Sequence, residues 1–321
     1  MTTTAKQTRK PRFRREGCPN FHLTERDREI IRQVYRHRFL SSEYITALME
    51  GGRQGILNRL KFLFHADYLD RPKAQGRMEG NFPLIYALGN KGAELIASEF
   101  DLALGSVDWT TKNREAKPVF LEHTLGVARF MVLVELACRK VKELEFIRPE
   151  EVIGKRFIVP KTGDKALSWK VEAKRGERRI AYSMVPDNVF GWTCLEDSGR
   201  TRAAYFFLEE DRATMPIRSA NLGRSSFFKK MVGYFESWKG DLFQKNFGFK
   251  NPRVLTLTSS NERIKSMVAA GKELDPRGKG LRMFLFAPAK TLDLAKPEKI
   301  LGKVWINGRG DSVACLTEAR I

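Results

Sequence analysis

Cysteine and histidine are scarce in this chain, with four of each in 321 residues. Cys18, Cys138, Cys194 and Cys315 lie far apart with no CxxC pair, which argues against a disulfide framework or a zinc site and suits free thiols in a reducing compartment. His22, His37, His65 and His123 show no metal-ligand spacing and are too scattered to form a catalytic histidine triad. No apolar run approaches the ~20 residues of a transmembrane helix. The N-terminus has charge but no apolar stretch behind it, so it is not a secretory signal. Neither a Walker P-loop nor a Ser-His-Asp set occurs. The expected location is the cytoplasm, without membrane contact.

Basic residues, by contrast, are abundant. Lys and Arg number 58 against 38 Asp and Glu, a formal charge of +20, which points to a polyanionic partner. Hydrophobic residues at 42% and aromatics at 11% provide for packed cores, so the chain is globular. Its length suits two domains at ~100–200 residues each.

Lys6, Arg9, Lys10, Arg12, Arg14 and Arg15 face only Glu16, and Pro11 and Pro19 interrupt any helix. Residues 1–20 are therefore expected to form a disordered basic arm, able to lie along phosphates or enter a minor groove. A solubilising tail would have the same composition.

Thr24 stands as an N-cap, with Asp27 three residues on in the capping-box position. Ile30, Ile31, Val34 and Tyr35 predict an amphipathic helix to about residue 38. A second short helix opens at Ser41 or Ser42, with Tyr44, Ile45 and Leu48 inward, and Gly51-Gly52 ends it. A third runs over about 53–64 with Ile56, Leu60 and Leu63 on one face. Segments 68–72 and 83–88 read as strands joined by a polar loop, and a further helix starts at Asn90. Three helices followed by a hairpin is the order of a winged helix-turn-helix, whose third helix enters the major groove while the hairpin reaches the backbone. The third helix carries Arg53, Gln54, Asn58, Arg59 and Lys61, residue types that read base edges or grip phosphates, and the wing carries Arg71, Lys73 and Arg77. Residues 21–100 are thus the expected DNA-binding domain, and double-stranded DNA the expected partner. A small helical module for dimerisation has the same outline, which makes a second copy of the chain the alternative partner.

Residues 101–118 are polar and mixed and read as a linker. A long helix is predicted over 119–141, with Leu121, Leu125, Ala128, Val132, Leu136 and Ala137 apolar. Strands are expected at 156–159, 168–173, 179–185, 204–208, 253–258 and 282–286, and helices at 225–238 and 262–270. Strands interleaved with helices predict an α/β (α+β) domain with a mixed sheet over 119–321.

The strand at 179–185 ends at Pro186-Asp187, and the next runs into Glu209-Glu210-Asp211. Paired as a hairpin, they would bring the carboxylates together at one end of the sheet. Such hard oxygen ligands hold Mg²⁺ for phosphodiester chemistry. The pattern resembles the PD-(D/E)xK nuclease core: a helix, Pro-Asp, a hairpin, then acid-x-Lys. Candidate catalytic residues are Asp187, Glu209, Asp211 and Lys230, with Glu122 and His123 on the preceding helix; Asp187 and Glu209 are the candidate Mg²⁺ ligands. The pattern departs at Asp211, which stands where the lysine belongs. Arg212 cannot act as a base, and Lys230 on the following helix is the candidate to supply the charge. Two accounts stay open: an active Mg²⁺ site, or a nuclease-like fold used for binding with its carboxylates paired to Arg and Lys. For His123, a packed, hydrogen-bonded role is the plainer account.

The runs Leu23-Thr24-Glu25-Arg26-Asp27, Arg59-Leu60, Tyr68-Leu69-Asp70-Arg71 and Ile85-Tyr86-Ala87-Leu88-Gly89-Asn90-Lys91-Gly92 resemble the replication-relaxation family of plasmid and mobile-element proteins. Leu121-Glu122-His123, Val185-Pro186-Asp187-Asn188-Val189-Phe190, Phe207-Leu208-Glu209 with Asp211-Arg212, and Lys230 with Tyr234 continue the pattern in order. Ala213 stands where the family usually has Gly. The resemblance, over about 23–286, implies an N-terminal winged helix, a restriction-endonuclease-like second domain, and a role in plasmid replication or mobilisation alongside other replication or mobilisation proteins. The rival expectation is a transcriptional or replication regulator without catalytic activity, whose second domain binds a partner or dimerises.

Overall fold

The computed structural model describes residues 13–16, 21–78, 82–107, 110–154, 167–175, 178–195, 199–219, 225–313 and 315–317. The chain divides into two units, Met1–Leu125 and Gly126–Ile321.

The first unit runs α1 (Glu25–His37), β1 (Leu40–Ser41), α2 (Ser42–Leu48), α3 (Arg53–His65), β2 (Leu69–Asp70), β3 (Ile85–Leu88), α4 (Asn90–Glu99), α5 (Leu104–Val107) and α6 (Thr110–Arg114). Helix α1 starts at the expected capping box: Asp27 N–H donates to Thr24 Oγ1 at 3.3 Å, and Thr24 N–H donates to Asp27 Oδ2 at 2.8 Å. Its apolar stripe Ile30, Ile31, Val34 and Tyr35 is buried, as are Ile56, Leu60 and Leu63 of α3. The three short strands form an antiparallel sheet in the order β1-β3-β2. Strand β1 is only two residues long, too short for a period-two pattern, and the sequence did not announce it. After β2 the chain turns through a 3-10 helix, Lys73–Arg77, held by Gln75, which exchanges hydrogen bonds with the Ile85 backbone at 2.9 and 3.0 Å.

Two expectations about this unit need correction. The segment 101–118 is not an open linker: Arg114 donates to Asp70 at 2.8 Å, and Arg38 donates to the buried Asn113 at 2.9 Å. These bonds dock α6 on the first unit, and the division falls at 125, not near 119. Most of the expected arm, residues 1–12 and 17–20, lies outside the described residues. Arg15 within it is tied down, donating to the carbonyls of Phe64 and Leu69 at 3.0 Å and pairing with Asp67 at 2.8 Å.

Helix α7 (Pro118–Lys140) crosses the division, and the second unit continues with β4 (Leu144–Ile147), α8 (Pro149–Val152), β5 (Trp169–Arg175), β6 (Arg178–Met184), β7 (Asn188–Leu195) and β8 (Thr201–Asp211). Then come α9 (Phe227–Lys239), α10 (Leu242–Phe247), β9 (Arg253–Thr258), α11 (Asn261–Leu274), β10 (Phe284–Pro288), β11 (Trp305–Asn307) and β12 (Ser312–Val313). Among the described residues, seven strands form one mixed sheet in the order β12-β11-β10-β9-β8-β7-β4, in which β8, β9 and β10 run parallel. This is the expected mixed α/β class. The strand expected at 156–159 lies outside the described residues.

Alternation along β8 sends Phe206 and Leu208 to one face, where they pack with Phe130 and Val134 of α7, and sends Phe207 to the other, with Met231 and Tyr234 of α9 and Met267 of α11. Each large apolar side chain buried in these two layers contributes about 1.5–3 kcal/mol. The expected hairpin is also corrected: β8 pairs with β7, while β6 forms a separate ribbon with β5. Pro186 and Asp187 are the bend between the ribbon and the sheet.

Candidate functional site

Strands β7 and β8 pair antiparallel with Asn188 opposite Leu208, so the start of one lies beside the end of the other. Asp187 precedes β7 by one residue. Its N–H donates to Leu208 O at 3.0 Å, and its Oδ2 accepts the N–H of Glu210 at 2.8 Å. The side chain is thereby fixed across the strand end, leaving Oδ1 turned to Lys230 Nζ at 3.9 Å.

Glu209 projects from β8 onto the face covered by α9 and is only 2% exposed. Its Oε1 accepts the Tyr234 hydroxyl at 2.6 Å, and its Oε2 accepts from Lys230. Lys230 and Tyr234 stand four residues apart on α9, hence on one face of the helix, so both reach one carboxylate. Burial pushes the Glu209 carboxyl up to about 7, against the pull of Lys230 and with a further push from Asp187. Burial works against the Lys230 ammonium, but Glu209 and Asp187 outweigh it and hold its pKa above the ordinary value. Tyr234 stays a neutral donor: burial, then Glu209, raise its pKa well above that of a free phenol.

Asp211 faces the same side of β8 but belongs to a different cluster. It accepts from Thr258 Oγ1 at 2.7 Å and takes both Nε and Nη2 of Arg263, the latter at 2.7 Å. The three carboxylates therefore fall into two groups, Asp187 and Glu209 sharing the single charge of Lys230 and Asp211 paired with Arg263. No local sequence pattern marks Arg263 as a partner of an aspartate 52 residues earlier. Glu122 and His123 are half-buried on α7, on the first-unit side of the division.

The pair Asp187 and Glu209 also bears on Mg²⁺. Among the described residues no group of three or more His, Cys, Asp or Glu side chains is arranged to hold a metal ion. Mg²⁺ commonly takes one or two carboxylates and completes its shell with water and substrate phosphate, whereas here both Glu209 oxygens already accept from Lys230 and Tyr234. Both carboxylates already converge on one cationic group.

In the first unit, α3 buries one face and exposes Arg53, Gln54, Asn58 and Lys61 on the other. Gln54 donates to the Asn58 side chain at 3.2 Å, aligning two amides one turn apart. Lys73 and Arg77 are exposed on the 3-10 turn. Two of the expected DNA-contacting residues are instead internal ties. Arg59 donates to Asp27 Oδ1 at 2.9 Å and to His22 O at 2.9 Å. Arg71 is 8% exposed, with its guanidinium 3.9 Å from the centre of the Phe64 ring and bonded to Tyr86. Arg71, the residue after β2, lies inward over aromatic rings and not on the wing, and a cation–π contact there substitutes for water.

Among the described residues no helix is long and apolar enough to cross a membrane. The sequence profile of the replication-relaxation family matches residues 31–253, most of the chain. No curated protein and no solved structure matches it.

Proposed function

Because the chain belongs to the replication-relaxation family, we propose that it is a DNA-binding protein of a mobile genetic element, acting in plasmid replication, mobilisation or DNA processing. The family itself points to a role in replication or relaxation of plasmid or mobile-element DNA. The observation that carries the DNA-binding reading is the outward face of α3, where Arg53, Gln54, Asn58 and Lys61 all stay exposed while Ile56, Leu60 and Leu63 are buried. The order α1, β1, α2, α3, β2, β3, with β3 central in the sheet, supports a winged helix-turn-helix. In that reading α3 lies in the major groove, Gln54 and Asn58 present amides to base edges, and Lys73 and Arg77 grip the flanking phosphates.

The second unit is read as nuclease-like, with Asp187, Glu209 and Lys230 at its centre. Asp187 and Glu209 would hold Mg²⁺, which when bound polarises a phosphate and eases deprotonation of water. Lys230 would then be released toward the phosphate, the part that the acid-x-Lys lysine plays in the resembling pattern. Tyr234 holds the orientation of Glu209 through Oε1. One observation favours a regulator without catalysis: both Glu209 oxygens are already engaged by groups of the chain itself.

The test incubates the full chain with supercoiled plasmid, with and without Mg²⁺ or Mn²⁺, alongside Arg53→Ala/Lys61→Ala and Asp187→Ala. The double substitution is expected to weaken duplex binding, and Asp187→Ala to abolish metal-dependent relaxation or cleavage. Binding without any metal-dependent change in the plasmid would establish the regulator. Duplex binding unaffected by the double substitution would overturn the role of α3.

A further inference from the structure

A second cationic feature lies at the other end of the sheet from Asp187 and Glu209. Arg253 is the first residue of β9 and registers with Phe206 of β8, three residues before Glu209, so it lies about 10 Å from that position along the strand. Around it opens a cleft of about 210 Å³ lined by Trp238, Asn251, Arg253, Lys279, Arg282 and Met283. A smaller adjoining hollow adds Arg202 and Lys250. Neither contains a carboxylate among its described lining residues. Lys250, Lys279 and Arg282 are exposed and have no acidic partner among the described residues. Burial first, then Arg282 and Arg202, push the Arg253 pKa down, as expected of cations held close together.

The fold builds this cleft. The Arg253 guanidinium donates to the carbonyl of Arg282, fixing the 3-10 turn Gly280–Met283 against β9. A Cβ on Gly280 would lie 2.5 Å from the Phe235 ring and 3.1 Å from Trp238, so glycine lets the turn, with Lys279 before it and Arg282 within it, approach the indole. Grouped cations beside a partly exposed aromatic ring suit a ligand with both phosphate and a flat apolar face.

We propose that this cleft binds single-stranded DNA, with phosphates on Arg253, Lys279 and Arg282 and a base against Trp238. A duplex keeps its bases stacked inside, whereas a single strand offers both phosphates and ring faces. The choice of DNA as the strand rests on the reading of the chain as a DNA-binding protein; the phosphate and base recognition does not.

The test measures anisotropy of a short fluorescein-labelled oligothymidylate with the full chain, with Lys279→Glu/Arg282→Glu, and with Trp238→Leu. The charge pair is on the surface, and the bond from Arg253 goes to a backbone carbonyl, so the fold survives that substitution. Lys279→Glu/Arg282→Glu should weaken binding at least tenfold and lower the salt slope by about 0.7 per lost phosphate contact. Trp238→Leu should weaken it by roughly tenfold. Duplex binding by either variant should match the unmodified chain. Oligothymidylate binding that ignores the charge reversal overturns the proposal. So does binding that ignores Trp238→Leu and is displaced by inorganic pyrophosphate, which would mark a small-anion site only. If the duplex is not bound but the oligothymidylate is bound through these residues, the reading of α3 fails and this proposal stands.

Discussion

Replacing Asp27 by Asn tests how α3 is held. Asp27 is fully buried, closes the capping box of α1, and receives two nitrogens of Arg59 from α3. Breaking a buried ion pair by neutralising one partner costs about 3–5 kcal/mol. Here water recovers part of that, because the Arg59 side chain is 22% exposed. The expected loss is about 3 kcal/mol, or roughly a hundredfold in the opening equilibrium. Hydrogen exchange on the full chain reads this directly, as lost protection in peptides from α1 and α3. The pH dependence has a defined sign. Burial alone would raise the Asp27 pKa, but hydrogen bonds from Arg59 and Thr24 outweigh it and hold it below the ordinary value. A carboxylate with a lowered folded pKa contributes stability above its unfolded pKa of about 3.9 and loses it as the pH falls through the folded value. The gap between the two proteins should be full at about pH 7 and narrow below about pH 4. Because α3 carries the exposed Arg53 and Lys61, loosening it should also weaken duplex binding. Equal protection in both proteins, or a gap indifferent to pH, would refute the clamp.

Gly92→Ala should destabilise the first unit by about 1–3 kcal/mol despite the better helix propensity of alanine. A Cβ there would sit 2.1 Å from the Tyr68 carbonyl oxygen, a backbone atom that cannot swing aside; calorimetry of the full chain measures the shift. Arg263→Ala should leave Asp211 buried with its charge uncompensated and cost about 3–5 kcal/mol, read by urea unfolding followed through the buried Trp192 and Trp305.

The capping box, the three helices and the long helix were legible because each is a local pattern of period 3.6 with punctuation at its ends. Thr24, Ser41 and the pair Gly51-Gly52 mark boundaries within a residue or two of those observed. Strand pairing was less legible. Strand β7 reads Asn188-Val-Phe-Gly-Trp-Thr-Cys-Leu, buried on both faces over its first half, so it lacks alternation and looks like a loop after Pro186. Pairing β8 with β6 or with β7 places Asp187 at the end of β8 alike, because the bend at Pro186-Asp187 lies between β6 and β7. The inward turn of Arg59 and Arg71 was hidden for a different reason: a basic residue in a basic segment reads as surface until its aromatic and acidic neighbours are placed.

The lysine absent from position 211 of β8 has a structural reason to be elsewhere. Position 211 faces α11, where Arg263 comes within bonding distance. A lysine there would set an ammonium against that guanidinium, whereas Asp211 accepts from it and from Thr258 and so fastens α11 to the end of β8. The cation for Asp187 and Glu209 then has to come from the other helix on this face of the sheet. On α9, the four-residue spacing of Lys230 and Tyr234 makes one rotation of the helix serve both Glu209 oxygens. The anchoring of α11 and the charge of the site are thus assigned to separate residues. Each acid in Glu209-Glu210-Asp211 also has its own surroundings: Glu209 meets α9, Asp211 meets α11, and the Glu210 side chain lies against Gly126 of α7.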